Sequence, residues 1–334
     1  MGEIDTRAEF GGRMMQRLLI ATLAVVAFAS AVCVHAQAYP TKPVRLVVAS
    51  TPGSALDIHA RLLGNQLSEL WKQPVLMDYK PGGSMMIGAD YVAKSNPDGY
   101  TLFFSIDTPF VVNIVTLPKL PYTMAEFSPI SFWSMNPFVL VVNSNLPVKN
   151  VSDLIALLRA NPGKFNGSSA SASTLLTHEM LKSLAGVDYA LINYKGGLEA
   201  IASIAAGETQ IAFYDLGNAQ AMIKAGKIRV LAQTPSQRSR VIPDIPTVAE
   251  SGVQGFEGGT WSGVFAPAKT PREIINKVGA DIRRVVEMPD IAAKLTGLGV
   301  EPRASSPEEL SKFIADSTMR WARLVKERNI KLSE

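Results

Sequence analysis

Hydrophobic and polar positions follow a repeating order along most of the chain. A short β-branched run comes first, then a turn marked by glycine or proline, then apolar residues at helical spacing. Residues 44–49 (VRLVVA) form such a run, ending at Pro52-Gly53. Leu56, Ala60, Leu63, Leu67 and Leu70 follow near the 3.6-residue period and predict one amphipathic helix. Residues 74–79 predict a second strand closed by Pro81-Gly82-Gly83, residues 86–94 a helix, and residues 100–105 a third strand after the Asn96-Pro97-Asp98-Gly99 turn. Short apolar strands alternating with helices predict an α/β chain whose parallel sheets are covered on both faces.

A less regular stretch follows, and the alternation resumes at 138–143 with a strand and at 152–159 with a helix stopped by Asn161-Pro162-Gly163. Helices are predicted over 174–184, 198–206 and 219–224, and strands over 189–193, 210–214 and 228–233. The proline- and glycine-rich segment 242–259 separates this block from a strand at 261–266 and three C-terminal helices. In the last of these, Ser306 caps, Pro307 takes the first turn and Glu309 completes a capping box. Leu310, Phe313, Ile314, Trp321 and Leu324 give that helix one apolar stripe. At 334 residues the chain has material for two compact domains.

The first forty residues change the picture of where the chain works. Residues 18–32 are an uncharged apolar run preceded by Arg13 and Arg17, and Ala36-Gln37-Ala38 supplies a small-x-small site before Tyr39-Pro40. This is the layout of a secretory signal peptide over residues 1–38, with Met14 an alternative start. An uncleaved or Cys33-lipidated anchor is the other reading. Cleavage after Ala38 removes Cys33, the only cysteine, and leaves no disulfide, thiolate nucleophile or cysteine metal ligand. The net charge of +4, from 33 basic and 29 acidic residues, is scattered without a basic run, which argues against nucleic-acid binding.

Open α/β sheets bind ligands beyond the carboxyl ends of their strands, where helix N-termini offer unpaired amides and partial positive charge. Two strand-to-helix loops have the composition for this. In the first, Ser50 and Thr51 offer hydroxyls, Pro52-Gly53 turns the chain close to a ligand, and the helix starts near Ser54. Asp57 stands at capping distance from Ser54, so it is read as a cap or as a ligand contact. The second loop, residues 167–174 (GSSASAST), presents Ser169, Ser171, Ser173 and Thr174, with Ser173 as the helix cap or as part of a hydroxyl-lined pocket edge. Lys195 and Gly196, after the 189–193 strand, form a third candidate with a cation for an anionic ligand, and Asp215 ends the 210–214 strand.

Signals for catalysis are poor. Beyond residue 38 only His59 and His178 remain. His59 lies on the apolar stripe of the first helix and is read as a packing histidine. His178 falls off the Leu176–Met180–Leu184 stripe and is expected at the surface. Asp57 and Asp215 make an acid/base pair only if the fold joins them. There is no H-E-x-x-H, G-x-S-x-G, P-loop or strand-linked G-x-G-x-x-G, and neither a metal nor a cofactor is implied.

Ten segments in order carry a family resemblance, among them YPTKPVRLVV (39–48), PGSALDIHARLL (52–63), KPGGSMMIGADYVAKSNPDGYTL (80–102), AGKIRVLAQT (225–234), IPDIPTVAESG (242–252) and GFEGGTWSGVFAPAKTP (255–271). Through them the chain resembles the extracytoplasmic solute-binding receptors of tripartite tricarboxylate transporters, the Bug (TctC-like) family. The resemblance implies a monomeric, two-lobed periplasmic-binding-protein fold of the Venus-flytrap, type II-like kind, with two hinge crossovers. Residues 39–138 and 257–334 would form lobe one, and 139–256 lobe two. It further implies a small carboxylate clamped between the first strand–helix loop and the serine/glycine loop, and integral-membrane transporter subunits as partners.

Two departures from the family pattern bear on the ligand. A bulky apolar residue of the first loop is replaced by Ser50. The second loop, which in the family carries two glycines and a histidine, here has Ser169, Ser171 and Leu175. The cleft is therefore expected to be roomier and richer in hydroxyls, with an aromatic mono- or dicarboxylate as well placed as a citrate-like acid. Two alternatives stand beside transport. One is a sensor subunit of the same fold, and the other an exported serine hydrolase using a serine of 168–173 with His178.

Overall fold

A computed structural model of the chain describes residues 39–194 and 196–330. The signal-peptide reading of residues 1–38 and the candidate Lys195 lie outside the described residues. From Lys42 to Ile330 the described residues form one compact unit, built on two sheets.

The first sheet has six strands. Strand β1 (Val44–Val48) leads into helix α1 (Ala55–Trp71), β2 (Val75–Tyr79) into α2 (Met86–Ala93), and β3 (Thr101–Ile106) into a short helical stretch over 108–116. The chain then runs up β4 (Phe127–Asn136). The remaining strands come from near the other end of the chain: β10 (Thr260–Pro267) and the two-residue β11 (Glu301–Pro302). Their order is β11-β4-β10-β3-β1-β2. β1 pairs in parallel with β2 and β3, whereas β10 is antiparallel to β3 and β4.

The second sheet has five strands in the order β7-β6-β8-β5-β9. It holds β5 (Phe138–Asn143), β6 (Asn166–Ser169), β7 (Ala190–Asn193), β8 (Ile211–Asp215) and β9 (Ile228–Gln233). Helices α3 (Val151–Ala160), α4 (Ala172–Ala185), α5 (Gly197–Ala206) and α6 (Leu216–Lys224) lie between them. β6 is parallel to β7 and β8, while β5 runs antiparallel to β8 and β9.

Both sheets are therefore mixed, not parallel as the alternation predicts. The strands that run against the others are β10 and the short β11 in the first sheet and β5 in the second, and β10 and β5 each adjoin a passage between the sheets. Strand β4 lies inside the stretch that reads as irregular. Pro129 and three serines interrupt its apolar alternation, and its pairing with β10 shifts register twice. The middle of β4 is nevertheless fully buried, with Ile130, Phe132 and Trp133 at 0% exposure.

Burial follows the strand period. Leu140 and Val142 of β5 point into one apolar cluster and Val139 and Val141 into another, so the second sheet is covered on both faces. In the first sheet, Phe110 stacks on Phe265 at 3.8 Å between ring centres and meets Phe127 edge-on at 5.1 Å. Helix α7 (Arg272–Val286) is tied to α1 by Trp71 Nε1 donating to Asp281 Oδ2 at 2.6 Å. After α8 (Pro289–Gly297) comes the long α9 (Pro307–Arg328), where Ser306 and Glu309 form the reciprocal capping box. Helix α9 packs on β4 and also reaches the second sheet's helices, with Arg328 Nε 3.1 Å from Glu179 Oε2 of α4.

Only two segments connect the sheets. Asn136 ends β4 and Phe138 begins β5, so a single residue, Pro137, makes the first passage. The second runs from Thr234 to Gly259. The two are tied together where they cross: Thr234 Oγ1 accepts from Phe138 N at 3.1 Å, Thr234 N donates to Phe138 O at 3.0 Å, and Gly258 N donates to Thr234 O at 2.9 Å.

Candidate ligand site in the cleft

A cavity of about 330 Å³ lies between the carboxyl ends of the parallel strands of the two sheets. The first sheet contributes Ala55, Leu56 and His59 from α1, with Ile106 and Thr108 from the end of β3. The second contributes Ala170, Ser171, Ser173 and Thr174 at the start of α4, Gly197 at the start of α5, and Tyr214, Asp215 and Asn218 at the start of α6. Asn136, Phe138 and Thr260 complete the wall beside the passages. A second cavity, of about 450 Å³, opens near the same passages and is lined by Arg238, Arg240, Arg303 and Arg320 among others. It shares Asn136 and Thr260 with the cleft cavity and reaches Asp107 after β3, but none of the helix starts of the second sheet lines it.

The loop at the first strand folds around its own groups. Ser54 caps α1, its hydroxyl accepting from Asp57 N at 3.2 Å and sharing a hydrogen bond with Ser50 at 2.8 Å. Gly53 adopts φ +83°, a left-handed conformation that favours glycine. Its N–H donates to Asp57 Oδ2 at 2.7 Å. Asp57 Oδ1 also accepts from Arg61 Nε at 2.9 Å and from the Tyr79 hydroxyl at 2.6 Å. Burial alone would raise the Asp57 pKa. The Tyr79 hydroxyl, the Gly53 amide and Arg61 outweigh it and hold the carboxyl below its usual value. None of Ser50, Thr51, Pro52, Gly53, Ser54 or Asp57 lines the cavity. The wall there is formed instead by Ala55, Leu56 and His59 of α1. Burial pushes the His59 pKa down to about 4, so the ring is neutral.

The serine loop is also pre-folded, and its cap differs from the expected one. Ser171, not Ser173, is the N-cap of α4, because the helix begins at Ala172. Ser171 Oγ accepts from Thr174 N at 3.2 Å, while Thr174 Oγ1 accepts from Ala170 N and Ser171 N at 3.1 Å each. Ser169 Oγ lies beneath, 3.0 Å from Thr174 Oγ1 and 3.1 Å from Ser171 O. Ser173 faces the other sheet and lies 3.5 Å from Asp107 Oδ2.

His178 is fully buried, contrary to the surface position that helical spacing suggests. The stripe of α4 is wider than one row: Leu176, Thr177, His178, Met180 and Leu181 are all buried, and Leu184 is the residue left exposed. His178 Nε2 lies 3.0 Å from the Ser168 carbonyl and Nδ1 2.9 Å from the Tyr189 hydroxyl. A carbonyl only accepts, so the proton is assigned to Nε2, and Nδ1 accepts from Tyr189. Burial drives the His178 pKa down to about 4. Both ring nitrogens are engaged without a serine hydroxyl, so the Ser–His pair a hydrolase requires is not formed.

Around Tyr214 and Asp215 the cavity is less satisfied. Helices α5 and α6 start at Gly196 and Asp215, and neither start has a side-chain cap. Their first amides are thus left for other acceptors. Among the described residues the Tyr214 hydroxyl is buried without a hydrogen-bond partner. A Cβ added at Gly197 would collide with it. Burial raises the Asp215 pKa and, helped by the Asp215 charge, pushes that of Tyr214 to about 12. Asp57 and Asp215 are not brought together as an acid/base pair: Asp215 lines the cavity and Asp57 faces Arg61 and Tyr79.

Of the residues singled out from sequence, the cavity gathers Ser171, Ser173, Thr174 and Asp215, with Gly196 capping α5 at its edge. Thr108, Tyr214 and Asn218 follow strand ends and were accessible to the same reasoning. Asn136, Phe138 and Thr260 carry no local signal, because only the pairing of distant segments brings them to the cleft. Among the described residues, no group of three His, Cys, Asp or Glu is placed to hold a metal ion.

Two α/β sheets joined by two passages, with a cleft at the strand ends, define a two-lobed solute-binding protein. The match to known proteins makes this specific: residues 59–330 fit the model of the tripartite tricarboxylate transporter family receptor (TctC), and the chain belongs to that family. It is 32% identical to the Protein BugT of Bordetella pertussis over 95% of this chain and 99% of that one. Among solved structures it is similar to R. palustris Rpa4515 with adipate, at 31% identity and TM-score 0.75, covering 88% of this chain and 99% of the other. It is also similar to MatC (Rpa3494) from Rhodopseudomonas palustris with bound malate, at 26% identity and TM-score 0.70, covering 86% and 100%.

Proposed function

We propose that this chain is an exported, non-catalytic receptor that closes around a small organic carboxylate and delivers it to a tripartite tricarboxylate-type membrane transporter. The observation carrying the reading is the convergence of three helix starts, α4, α5 and α6, on one cavity whose described lining holds no lysine or arginine. Oriented backbone amides and hydroxyls suit a carboxylate without a paired cation, each helix end acting as roughly half a positive charge. Adipate and malate in the similar solved structures agree with this ligand chemistry. In this reading Ser171, Ser173, Thr174, Gly196 and Asp215 contact the ligand or order the groups that do. Ser50–Ser54 shape the opposite rim. Closure favours the liganded form only by the difference in affinity between closed and open states.

Export places the receptor in the periplasm, with the mature chain starting near Tyr39, which N-terminal sequencing of the secreted protein tests. Among the described residues no helix is long and apolar enough to cross a membrane. The ligand reading is tested by a thermal-shift screen against aliphatic and aromatic mono-, di- and tricarboxylates. A ligand at ~100 times its Kd stabilises by about 2.7 kcal/mol and raises Tm by several degrees. A flat response from folded, ligand-free protein to every acid removes the reading.

A further inference from the structure

Two neighbouring side chains set the polarity of the cleft. The Tyr214 side chain is 3% exposed, and its hydroxyl has no hydrogen-bond partner among the described residues although it lines the cavity. Buried hydroxyls are almost always satisfied, so this one points to a ligand atom. Beside it stands Asp215, the one carboxylate among the described lining residues. A second carboxyl, Asp107, meets Ser173 from the other sheet and lines the neighbouring arginine-lined cavity, with its Oδ1 buried and unpartnered among the described residues. The one histidine of the lining, His59, is neutral.

This arrangement is poorly matched to a dicarboxylate. A dianion would bring two negative charges into a half-open cavity whose described lining already holds Asp215 and no basic side chain, and like charges repel where water is partly excluded. A monocarboxylate that also carries a cationic N–H group adds no net charge, an acidic amino acid adds one negative charge where its amino-free counterpart adds two, and in both cases Asp215 gains a charge-assisted hydrogen bond.

We infer that the cleft takes a zwitterionic carboxylate, its carboxylate against the helix starts and the Tyr214 hydroxyl, its ammonium-type group on Asp215. This rests on the carboxylate reading above and narrows it to one ligand class.

The test uses matched pairs of acids that differ only by an amino group: succinate and aspartate, glutarate and glutamate, butyrate and 4-aminobutyrate, hexanoate and 6-aminohexanoate. Binding to the purified protein, unfolded and refolded to remove carried-over ligand, is measured by calorimetry. In at least one pair the amino member is expected to bind about tenfold or more tighter, the ratio one charged hydrogen bond supplies. Asp215→Asn is expected to bring that ratio close to one. Tyr214→Phe is expected to weaken both members of the pair equally, because it removes a donor to the carboxylate they share. Equal or tighter binding of the amino-free acids, or an amino preference that survives in Asp215→Asn, overturns the inference while leaving the carboxylate reading in place. Silence of every acid overturns both. The wild-type comparison needs no variant, so a misfolded Asp215→Asn does not protect the inference.

Discussion

Asp107 and Ser173 meet across the gap between the two sheets, the serine hydroxyl 3.5 Å from Oδ2 of a carboxyl that is 5% exposed. The contact is long for a hydrogen bond, and Oδ1 has no partner among the described residues. Burial, only partly offset by Ser173 and reinforced by Asp215, moves the Asp107 pKa from 3.8 to about 7. The neutral acid is thus the form the fold prefers.

The consequence for stability has a definite sign. A carboxyl whose pKa is raised on folding binds more protons in the folded chain between pH 3.8 and 7, so its contribution to stability falls as pH rises through that window. Asp107→Asn keeps the shape and removes the charge. Its Tm is expected to exceed that of the wild type by several degrees at pH 8 and to converge with it near pH 4. Thermal melts of both proteins across that range check this, and a destabilised variant at pH 8 would count against it.

His178 titrates in the opposite sense. Its pKa falls from 6.5 to about 4 on burial, so the unfolded chain binds the extra proton and stability drops as pH falls from 6.5 toward 4. The loss is on the order of 3 kcal/mol once the shift is complete. Tyr189→Phe leaves Nδ1 a buried acceptor without a donor and is expected to cost about 1–3 kcal/mol at pH 7. His178→Gln is expected to melt lower at pH 7 but to show a flatter decline into acid. Denaturant titrations at pH 7 and pH 4.5 separate the two effects.

Gly197 and Tyr214 form a coupled pair. Gly197→Ala puts a Cβ against the Tyr214 hydroxyl and is expected to abolish ligand-induced stabilisation. Adding Tyr214→Phe removes the oxygen that is struck, so the double variant should recover part of the lost stability. A double-mutant cycle on Tm measures this, with a coupling of about 0.5–3 kcal/mol expected for residues in contact. Strict additivity would show that the collision is relieved elsewhere.

Asp57 offers a contrast within the same loop system. Its oxygens are held by Gly53, Arg61 and Tyr79, away from the cavity. Asp57→Ala is expected to cost about 1–3 kcal/mol of stability with ligand selectivity unchanged. Affinities for two different acids, compared as a ratio in both proteins, give the readout. A changed ratio would bring Asp57 into the site.

Much of this was legible in the chain because the relevant signals are local. The α/β alternation, the Ser306–Glu309 capping box and the Ser54 cap rest on spacing within a few residues. Strand β4 was not legible, since Pro129 and three serines mask a segment that partners on both sides hold in place. The mixed sheets escaped for a related reason: β10 pairs with strands more than a hundred residues earlier. His178 misled because a helix packed on two sides has no single apolar row. On the first sheet's side the cavity is lined by Ala55, Leu56 and His59 rather than by Ser50–Ser54, because composition marks the loop and only the direction of α1 decides which of its residues face inward.

The bond pair between Thr234 and Phe138 gives the molecule the mechanics of a pinned lever. Both passages between the sheets are fastened at this point, and one of them is a lone proline with little torsional freedom of its own. For a swing of one half against the other about this point, displacement is least here and travel grows with distance toward the cleft mouth. A label at the far ends of α4 and α1 would thus register opening long before one beside Thr234, and loosening that single fastening should change the arc of the motion more than any alteration to the rim.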